Sequence, residues 1–189
     1  MNLSRLKHRI RKIIMTSSVP EDLNHAENTL DWLVRLKPDA DQALQIAAFG
    51  HDIERAVRAP EFKLRAYPSY DAFKDVHAAK SASIVKNIIT GHGLPQDFAE
   101  DVYGLVKRHE RGGCPRSDLL RDADSLSFFE VNLPLYFERE GWEKTRERCR
   151  WGYRRLSPSH RHLLETFHFD NPEITDLVER VAREDGHSP

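Results

Sequence analysis

Cysteines are scarce in this sequence and long apolar runs are missing, and each absence excludes a class of protein. The two cysteines, Cys114 and Cys149, form neither a CxxC pair nor a zinc-type spacing, so they fit a reducing compartment and an incidental structural role. No apolar run approaches the roughly 18 residues that a membrane helix needs. The first residues interleave basic and apolar side chains, unlike a secretory signal, and we therefore expect a cytoplasmic protein without a membrane partner.

An excess of charge of one sign is also missing. The 189 residues carry a formal net charge of -1, so no overall field favours binding to nucleic acid. Charged residues make up 31% of the chain and hydrophobic residues 39%, which is typical of a globular protein and not of a disordered one. The length suits one domain with a sizeable core, and we expect residues 1–189 to form it.

Apolar residues recur at helical spacing along almost the whole chain, and no convincing alternating strand is present. Prolines and glycines divide this pattern into about eight or nine predicted helices. The third is predicted to run through "DADQALQIAAFGHDIERAVRA" to Pro60, and the sixth through "RSDLLRDADSLSFFEVN" to about Pro134. Three shorter helices are predicted after that point. The expected fold class is therefore all-α, a single-domain helical bundle.

Histidines and aspartates interrupt these helices beside apolar residues. The stretch "AAFGHDIER" places His51 and Asp52 directly after a small apolar run, where burying either side chain unpaired costs roughly 1–3 kcal/mol. Four further residues of this kind lie on other predicted helices: His25, His77, His109 and Asp124. Imidazoles and carboxylates together form a ligand shell suited to Mn, Fe, Co, Ni or Zn, with Mg less favoured. Each histidine alone could be an ordinary hydrogen-bonded residue, and their joint occurrence favours a divalent transition metal.

Three motifs occur in a characteristic order: "NHAENTLDWL" with His25, "IAAFGHDI" with His51 and Asp52, and "DADSL" with Asp124. This order resembles the HD superfamily of metal-dependent phosphohydrolases. The resemblance implies that these four residues bind one metal ion. It also implies an HD-type bundle with a metal-site core at about residues 20–130 and a helical C-terminal extension at about residues 131–189.

Members of this superfamily that bind two ions add two histidines between the doublet and the last aspartate. His77 in "DVHAAKSASIV" and His109 in "LVKRHERGG" fall in that interval. The resemblance therefore implies a dinuclear site in which Asp52 bridges the two ions. Some nucleotidases of the superfamily have a glutamate three residues after the doublet aspartate, where this chain has Arg55, so no subgroup follows from the motifs.

The resemblance implies hydrolysis of a phosphate ester, either of a nucleotide or of a small phosphorylated metabolite. Two divalent ions about 3.5–4 Å apart can hold a phosphoryl group and activate water at neutral pH. Asp52 would hold both ions, and a cationic side chain would stabilise the phosphate. Helical spacing places Lys80 one turn beyond His77 and Arg55 one turn beyond His51, so these two residues are the candidate cations.

Two other functions are compatible with the same residues. The six-ligand set also resembles that of HD-type di-iron oxygenases, which differ in the metal and not in the order of ligands. A non-catalytic module that senses a nucleotide is the third hypothesis. The native metal, the substrate and the formation of a homo-oligomer do not follow from the sequence. We interpret the arginine-rich segment 146–155 as a solvated helical face in preference to an anion-binding patch.

Overall fold

The computed structural model describes residues 3–57 and 64–186, and in these residues the chain forms eight α-helices and no strand. The helices are α1 (Leu3–Ile14), α2 (Asp22–Leu36), α3 (Gln42–Gly50), α4 (Tyr70–Gly91), α5 (Gln96–Arg108), α6 (Pro115–Ser127), α7 (Leu133–Arg155) and α8 (Pro172–Gly186). Three short 3₁₀ segments accompany them: Ile53–Val57, Leu64–Ala66 and Pro158–Thr166. The predicted all-α bundle is confirmed. Among the helices described, none combines the length and the apolar composition that crossing a bilayer requires.

The helices bury their apolar faces in a common core around α3. In α1 the buried residues are Leu6, Ile10 and Ile14, which follow one another at the spacing of a helical face. The central helix α3 is buried on nearly all sides and contacts α1, α2, α4, α5 and α6. A Cβ on Gly50 would meet Val85 Cγ2 at 2.8 Å, so α3 and α4 approach each other there without room for a side chain. The residues that follow Gly50 therefore enter the interior of the bundle.

The third helix is shorter than predicted, because α3 ends at Gly50 and the next two residues form a turn. The ring Nδ1 of His51 lies 2.8 Å from the carbonyl oxygen of Ala48, which a continuing α-helix would use for its backbone. Ile53 in the 3₁₀ segment that follows is fully buried. The apolar spacing of the sequence therefore continues past Gly50, and it gives no sign that the α-helix ends there. The predicted helix end at Pro60 lies outside the described residues.

The sixth helix does not stop near Pro134 as predicted. A π-helical turn at Phe128–Asn132 joins α6 to α7. Pro134 lies in the first turn of α7, where proline is tolerated because its lack of a backbone N–H costs no helical hydrogen bond. Gly141 then interrupts α7 with φ 75° and ψ -176°, a backbone conformation almost restricted to glycine. The chain before and after this bend faces the same cavity, which is described below.

Candidate metal centre

The first group of candidate ligands lies between α2, the turn after α3, and α6. Nε2 of His25 is 3.3 Å from Nε2 of His51, and Oδ1 of Asp124 is 3.2 and 3.3 Å from these two nitrogens. Asp52 Oδ2 is 4.0 Å from His25 Nε2, and Asp52 Oδ1 is 3.8 Å from His51 Nε2. The structure therefore brings together the four residues that the motifs single out: ligand atoms of His25, His51 and Asp52 all lie within 4.8 Å of one another, and Asp124 contacts the two histidines.

The second group lies beside the first and shares Asp52 with it. Oδ1 of Asp52 is 2.7 Å from His77 Nε2 and 3.7 Å from His109 Nε2. Glu110, which was not among the predicted ligands, places Oε1 3.1 Å from His109 Nε2. The ligand atoms of these four residues all lie within 4.8 Å of one another, so the group could hold a metal ion. Because Asp52 belongs to both groups, it lies between two candidate ion positions.

The four histidine rings have the same orientation relative to this centre: Nδ1 is engaged outward and Nε2 points inward. The Nδ1 partners of His25, His51, His77 and His109 are, in that order, Ser127 Oγ at 2.8 Å, the Ala48 carbonyl at 2.8 Å, the Glu54 carboxylate at 2.7 Å and the Val106 carbonyl at 2.7 Å. Each ring donates its Nδ1–H to its partner, which leaves a lone pair on Nε2 when the ring is neutral. Metal-binding histidines are oriented in this way.

Among the described residues, Nε2 of His77 has a carboxylate oxygen at 2.7 Å, whereas the other three inward nitrogens are less well satisfied. Nε2 of His109 is buried and has no hydrogen-bond partner in the described part of the chain. Nε2 of His25 and Nε2 of His51 face each other at 3.3 Å, which is unfavourable for two lone pairs unless a proton or a cation lies near them. An unsatisfied buried polar atom costs about 1–3 kcal/mol. A divalent transition metal ion would satisfy all of these atoms, so the residues fit such an ion.

The carboxylates determine where the centre holds a proton when no ion is bound. Burial alone would lower the pKa of His51, but the charges of Asp52 and Asp124 raise it to about 9. Burial lowers the pKa of His25 more than its contact with Asp124 raises it. Burial also opposes ionisation of Asp52, yet His51 and His77 hold the pKa of this carboxyl well below its usual value. A proton on His51 therefore occupies the position that a cation would take.

Arg155 and Lys74 form ion pairs with carboxylates of the centre from outside it, and the position of Arg155 differs from the prediction for residues 146–155. Nη2 of Arg155 is 2.7 Å from Asp124 Oδ2 and 3.2 Å from Glu110 Oε2, and Lys74 forms an ion pair with Glu110. The Arg155 side chain is only 9% exposed. The interpretation of residues 146–155 as a solvated face is therefore wrong for the side of α7 that faces the centre, because that side is buried against carboxylates.

The two predicted phosphate-binding cations lie in different places. Arg55 Nη1 is 3.1 Å from Asp52 Oδ2, and its Nη2 is 2.9 Å from Asp22 Oδ1, so it adjoins the centre. Lys80 is exposed on α4 and lines a separate surface groove with Val76 and other residues. A phosphate-binding role for Lys80 stays a prediction, and the centre offers other cations that lie closer.

The motif "DADSL" begins with a second aspartate, Asp122, which lies two residues before the predicted ligand Asp124. Asp122 is 1% exposed, and its two carboxylate oxygens have partners other than the four histidines of the centre. Its Oδ2 accepts a hydrogen bond from His160 Nδ1 at 2.7 Å, and its Oδ1 accepts one from the Ser157 backbone N–H at 2.8 Å. Asp122 therefore attaches the 3₁₀ segment after α7 to α6, and of these two aspartates Asp124 is the one that contacts the candidate ligands His25 and His51.

A cavity of about 280 Å³ opens beside the centre and has His77 in its wall. Four of its lining residues are cationic: Arg55, Lys74, Arg139 and Arg148. Four others are aromatic: Tyr70, Phe73, Phe128 and Tyr136. Much of this wall comes from the π-helical turn and from both halves of the bent helix α7, which the motifs of the sequence do not cover. The cavity suits a small anion with a flat or apolar part.

Comparison with known proteins identifies one family. The model of the family described as "Domain of unknown function (DUF4202)" matches residues 8–178. This range contains all six predicted ligands, the further candidate ligand Glu110, and Arg155 from the surroundings of the centre. No curated protein and no solved structure matches the chain.

Proposed function

The chain belongs to the DUF4202 family, and we propose that it is a metal-dependent phosphohydrolase related to the HD superfamily. One observation carries the proposal: a cavity with four cationic side chains in its wall adjoins a buried cluster of inward-pointing imidazole nitrogens and carboxylate oxygens. The cluster could hold the ions that activate water. The cations could bind the phosphate on which that water acts.

The proposed ligands form two sets that share Asp52: His25, His51 and Asp124 in the first, and His77, His109 and Glu110 in the second. Two divalent ions held there would supply Lewis acidity and lower the pKa of a bound water to about 7. The mixture of nitrogen and oxygen donors favours Mn, Fe, Co, Ni or Zn over Mg.

The protein's own residues would contribute orientation and charge. Glu54 accepts the Nδ1–H of His77 and so keeps the Nε2 lone pair of this ring directed at the centre. Arg55 holds Oδ2 of Asp52, which leaves Oδ1 free to face His77 and His109. A preorganised arrangement of this kind needs little movement when charge develops on the phosphoryl oxygens, and this is how such sites lower a barrier.

The cavity limits the substrate. Its volume of about 280 Å³ lies just below the roughly 300–1,000 Å³ that is usual for sites of drug-sized ligands. We therefore propose a small phosphoester, either a nucleotide or a small phosphorylated metabolite. The aromatic side chains in the wall suit a base or another flat group, because stacking on such rings tolerates many ring systems.

The test begins with elemental analysis of protein loaded with Mn²⁺, Co²⁺ or Ni²⁺. The loaded protein is then assayed with p-nitrophenyl phosphate, bis(p-nitrophenyl) phosphate and a set of nucleoside monophosphates. We expect turnover of at least one ester and its loss, together with bound metal, in His51→Ala. The control is Asp75→Ala, which removes an exposed partner of Arg111 and leaves the centre intact.

Three outcomes would contradict the proposal. The first is absence of turnover on every ester while elemental analysis finds the metal bound. The second is a mixed-valence spin-resonance signal with substrate-dependent oxygen uptake in iron-loaded protein, which would favour the di-iron oxygenase. The third is thermal stabilisation by a nucleotide without any turnover, which would favour the sensing module.

A further inference from the structure

Arg148 lies in the second half of α7, between aromatic rings, and lines the cavity beside the metal centre. Its guanidinium carbon is 4.1 Å from the ring centroid of Trp151, 5.0 Å from that of Phe128 and 5.4 Å from that of Tyr70. Its Nη1 donates a hydrogen bond to the Tyr70 hydroxyl oxygen. The guanidinium plane is therefore held on several sides by groups that carry no formal charge.

The charge of Arg148 distinguishes it from the other cations around the site. Those cations each have carboxylate partners: Arg55 has Asp52 and Asp22, Lys74 has Glu110, Arg139 has Glu21, and Arg155 has Asp124 and Glu110. Among the residues that the structure describes, Arg148 has no carboxylate partner and makes one hydrogen bond, to an uncharged hydroxyl. Of the four cationic side chains that line the cavity, Arg148 is thus the one that forms no ion pair with a described acidic residue.

A purely structural role predicts a different environment for this arginine. Arg146 and Arg150, on the other side of the same helix, pair with Glu184, and Arg150 also pairs with Asp185. These pairs attach α7 to α8. An arginine placed only for packing or solubility would be expected to find such a partner or to extend into water, whereas Arg148 is half-buried in a cavity wall.

We infer that Arg148 is an anion-binding residue that holds the phosphate group of the ligand in this cavity. The identification of the anion as phosphate rests on the proposed function. With Nη1 on Tyr70, the remaining N–H groups of the planar guanidinium can donate to two oxygens of one phosphate, a geometry that lysine cannot reproduce. The flanking rings limit the rotation of the side chain, so less conformational freedom is lost on binding.

The test measures the binding of inorganic phosphate by calorimetry to four metal-loaded proteins: wild type, Arg148→Met, Arg148→Lys and Arg146→Met. Methionine keeps much of the apolar stem that packs on Trp151, whereas lysine keeps the positive charge but lacks the planar guanidinium group with its several N–H donors. Arg146→Met removes an arginine of the same helix that pairs with Glu184 outside the cavity. Thermal unfolding and elemental analysis establish that each variant is folded and binds metal as the wild type does.

We expect Arg148→Met to weaken phosphate binding by about tenfold or more, because a charge-assisted hydrogen-bonded pair is lost. Arg148→Lys should lie between Arg148→Met and wild type, and Arg146→Met should stay within about twofold of wild type. Wild-type affinity in Arg148→Met would overturn the inference. The inference would also be overturned by an equal loss of phosphate affinity in Arg148→Met and Arg146→Met, which would indicate a non-specific effect of net positive charge. A wild type that binds no phosphate would overturn it as well.

The outcome is separable from that of the proposed function. Phosphate binding that depends on Arg148, in a protein that hydrolyses no ester, would support the anion site and contradict the hydrolase. Ester hydrolysis with normal phosphate affinity in Arg148→Met would support the hydrolase and overturn the role of Arg148. In the case where both hold, kcat/KM for p-nitrophenyl phosphate should fall in Arg148→Met and stay near wild type in Arg146→Met.

Discussion

Replacing Arg155 with methionine should destabilise the protein far more than the same change at the neighbouring Arg154. Arg155 is 9% exposed and its Nη2 contacts Asp124 and Glu110, whose side chains are 8% and 4% exposed. Arg154 is 64% exposed and pairs with Asp185 at the surface of the bundle. The two changes remove the same charge and the same side-chain atoms, so they differ only in what surrounds the arginine.

The magnitudes follow from burial. Removing one partner of a buried ion pair leaves an uncompensated charge and typically costs 3–5 kcal/mol, whereas an exposed pair contributes about 0–1 kcal/mol. In a domain of this size each kcal/mol shifts Tm by about 2–4 °C. We therefore expect Tm of metal-free Arg155→Met to fall by about 6–20 °C and that of Arg154→Met by less than about 4 °C. Burial opposes ionisation of Asp124, but Arg155 and His51 keep the pKa of this carboxyl well below its usual value. Asp124 is therefore ionised at neutral pH, and the loss of stability in Arg155→Met should be complete there.

The assay is thermal or urea unfolding of wild type and both variants at pH 7, first with a chelator and then with a saturating divalent ion. A bound ion would compensate the charges of Asp124 and Glu110, so it should reduce the difference in Tm between Arg155→Met and wild type. An ion present at about 100 times its Kd adds about 2.7 kcal/mol to any variant that still binds it. Equal losses in the two variants, or a gap that the ion does not change, would refute the assignment of Arg155 to the centre.

Three further predictions concern the centre and the bend. Asp52→Ala should lower bound metal from about two ions per chain to well below one by elemental analysis, with Asp75→Ala unchanged, because Asp52 is common to both ligand groups. The pKa of about 9 at His51 predicts that metal affinity, measured by competition with a chelator, rises by up to about tenfold per pH unit until pH 9. The stabilisation of the metal-free protein by the His51 proton should disappear over the same pH range. A metal affinity that does not change between pH 7 and 9 would contradict this prediction. Gly141→Ala should cost about 1–3 kcal/mol in urea unfolding because its φ of 75° disfavours a side chain, although no described residue beyond its own stretch of backbone crowds the new Cβ. Gly91→Ala, with the same open surroundings and an ordinary φ, should be nearly neutral.

Six residues of the candidate metal centre were predictable from the sequence because their types are unusual for their positions, whereas Glu110 was not predicted. A histidine and an aspartate directly after the apolar run of α3 need a polar partner. Because further histidines occur on separate helices, a metal ion shared by all of these side chains is the simplest partner to predict. The conformation of the doublet was not predictable in the same way. Helical periodicity records which residues are buried, and Ile53 is buried whether the chain continues as an α-helix or turns into a 3₁₀ segment.

The arginines of α7 were misread because spacing alone does not determine which side of a helix meets a neighbour. In "RERCRWGYRR" both sides of the helix carry arginines, and they look equivalent in the sequence. The π-helical turn and the bend at Gly141 set the rotation of α7, which directs Arg146 and Arg150 to α8 and Arg148 to the cavity. Neither irregularity leaves a periodic signal, so the tertiary structure is needed to assign these side chains.

Positive side chains so close to a centre that would bind cations require an explanation, and the carboxylate oxygens supply it. Asp124 directs Oδ1 to His25 and His51 and Oδ2 to Arg155. Asp52 likewise directs Oδ1 to the imidazoles and Oδ2 to Arg55. Each arginine therefore holds the outer oxygen and orients the inner one, as the hydrogen-bond partners of metal-binding residues do. Arg55 and Arg155 therefore support the candidate metal centre from outside it, and we expect the inner carboxylate oxygens to be less well oriented without them.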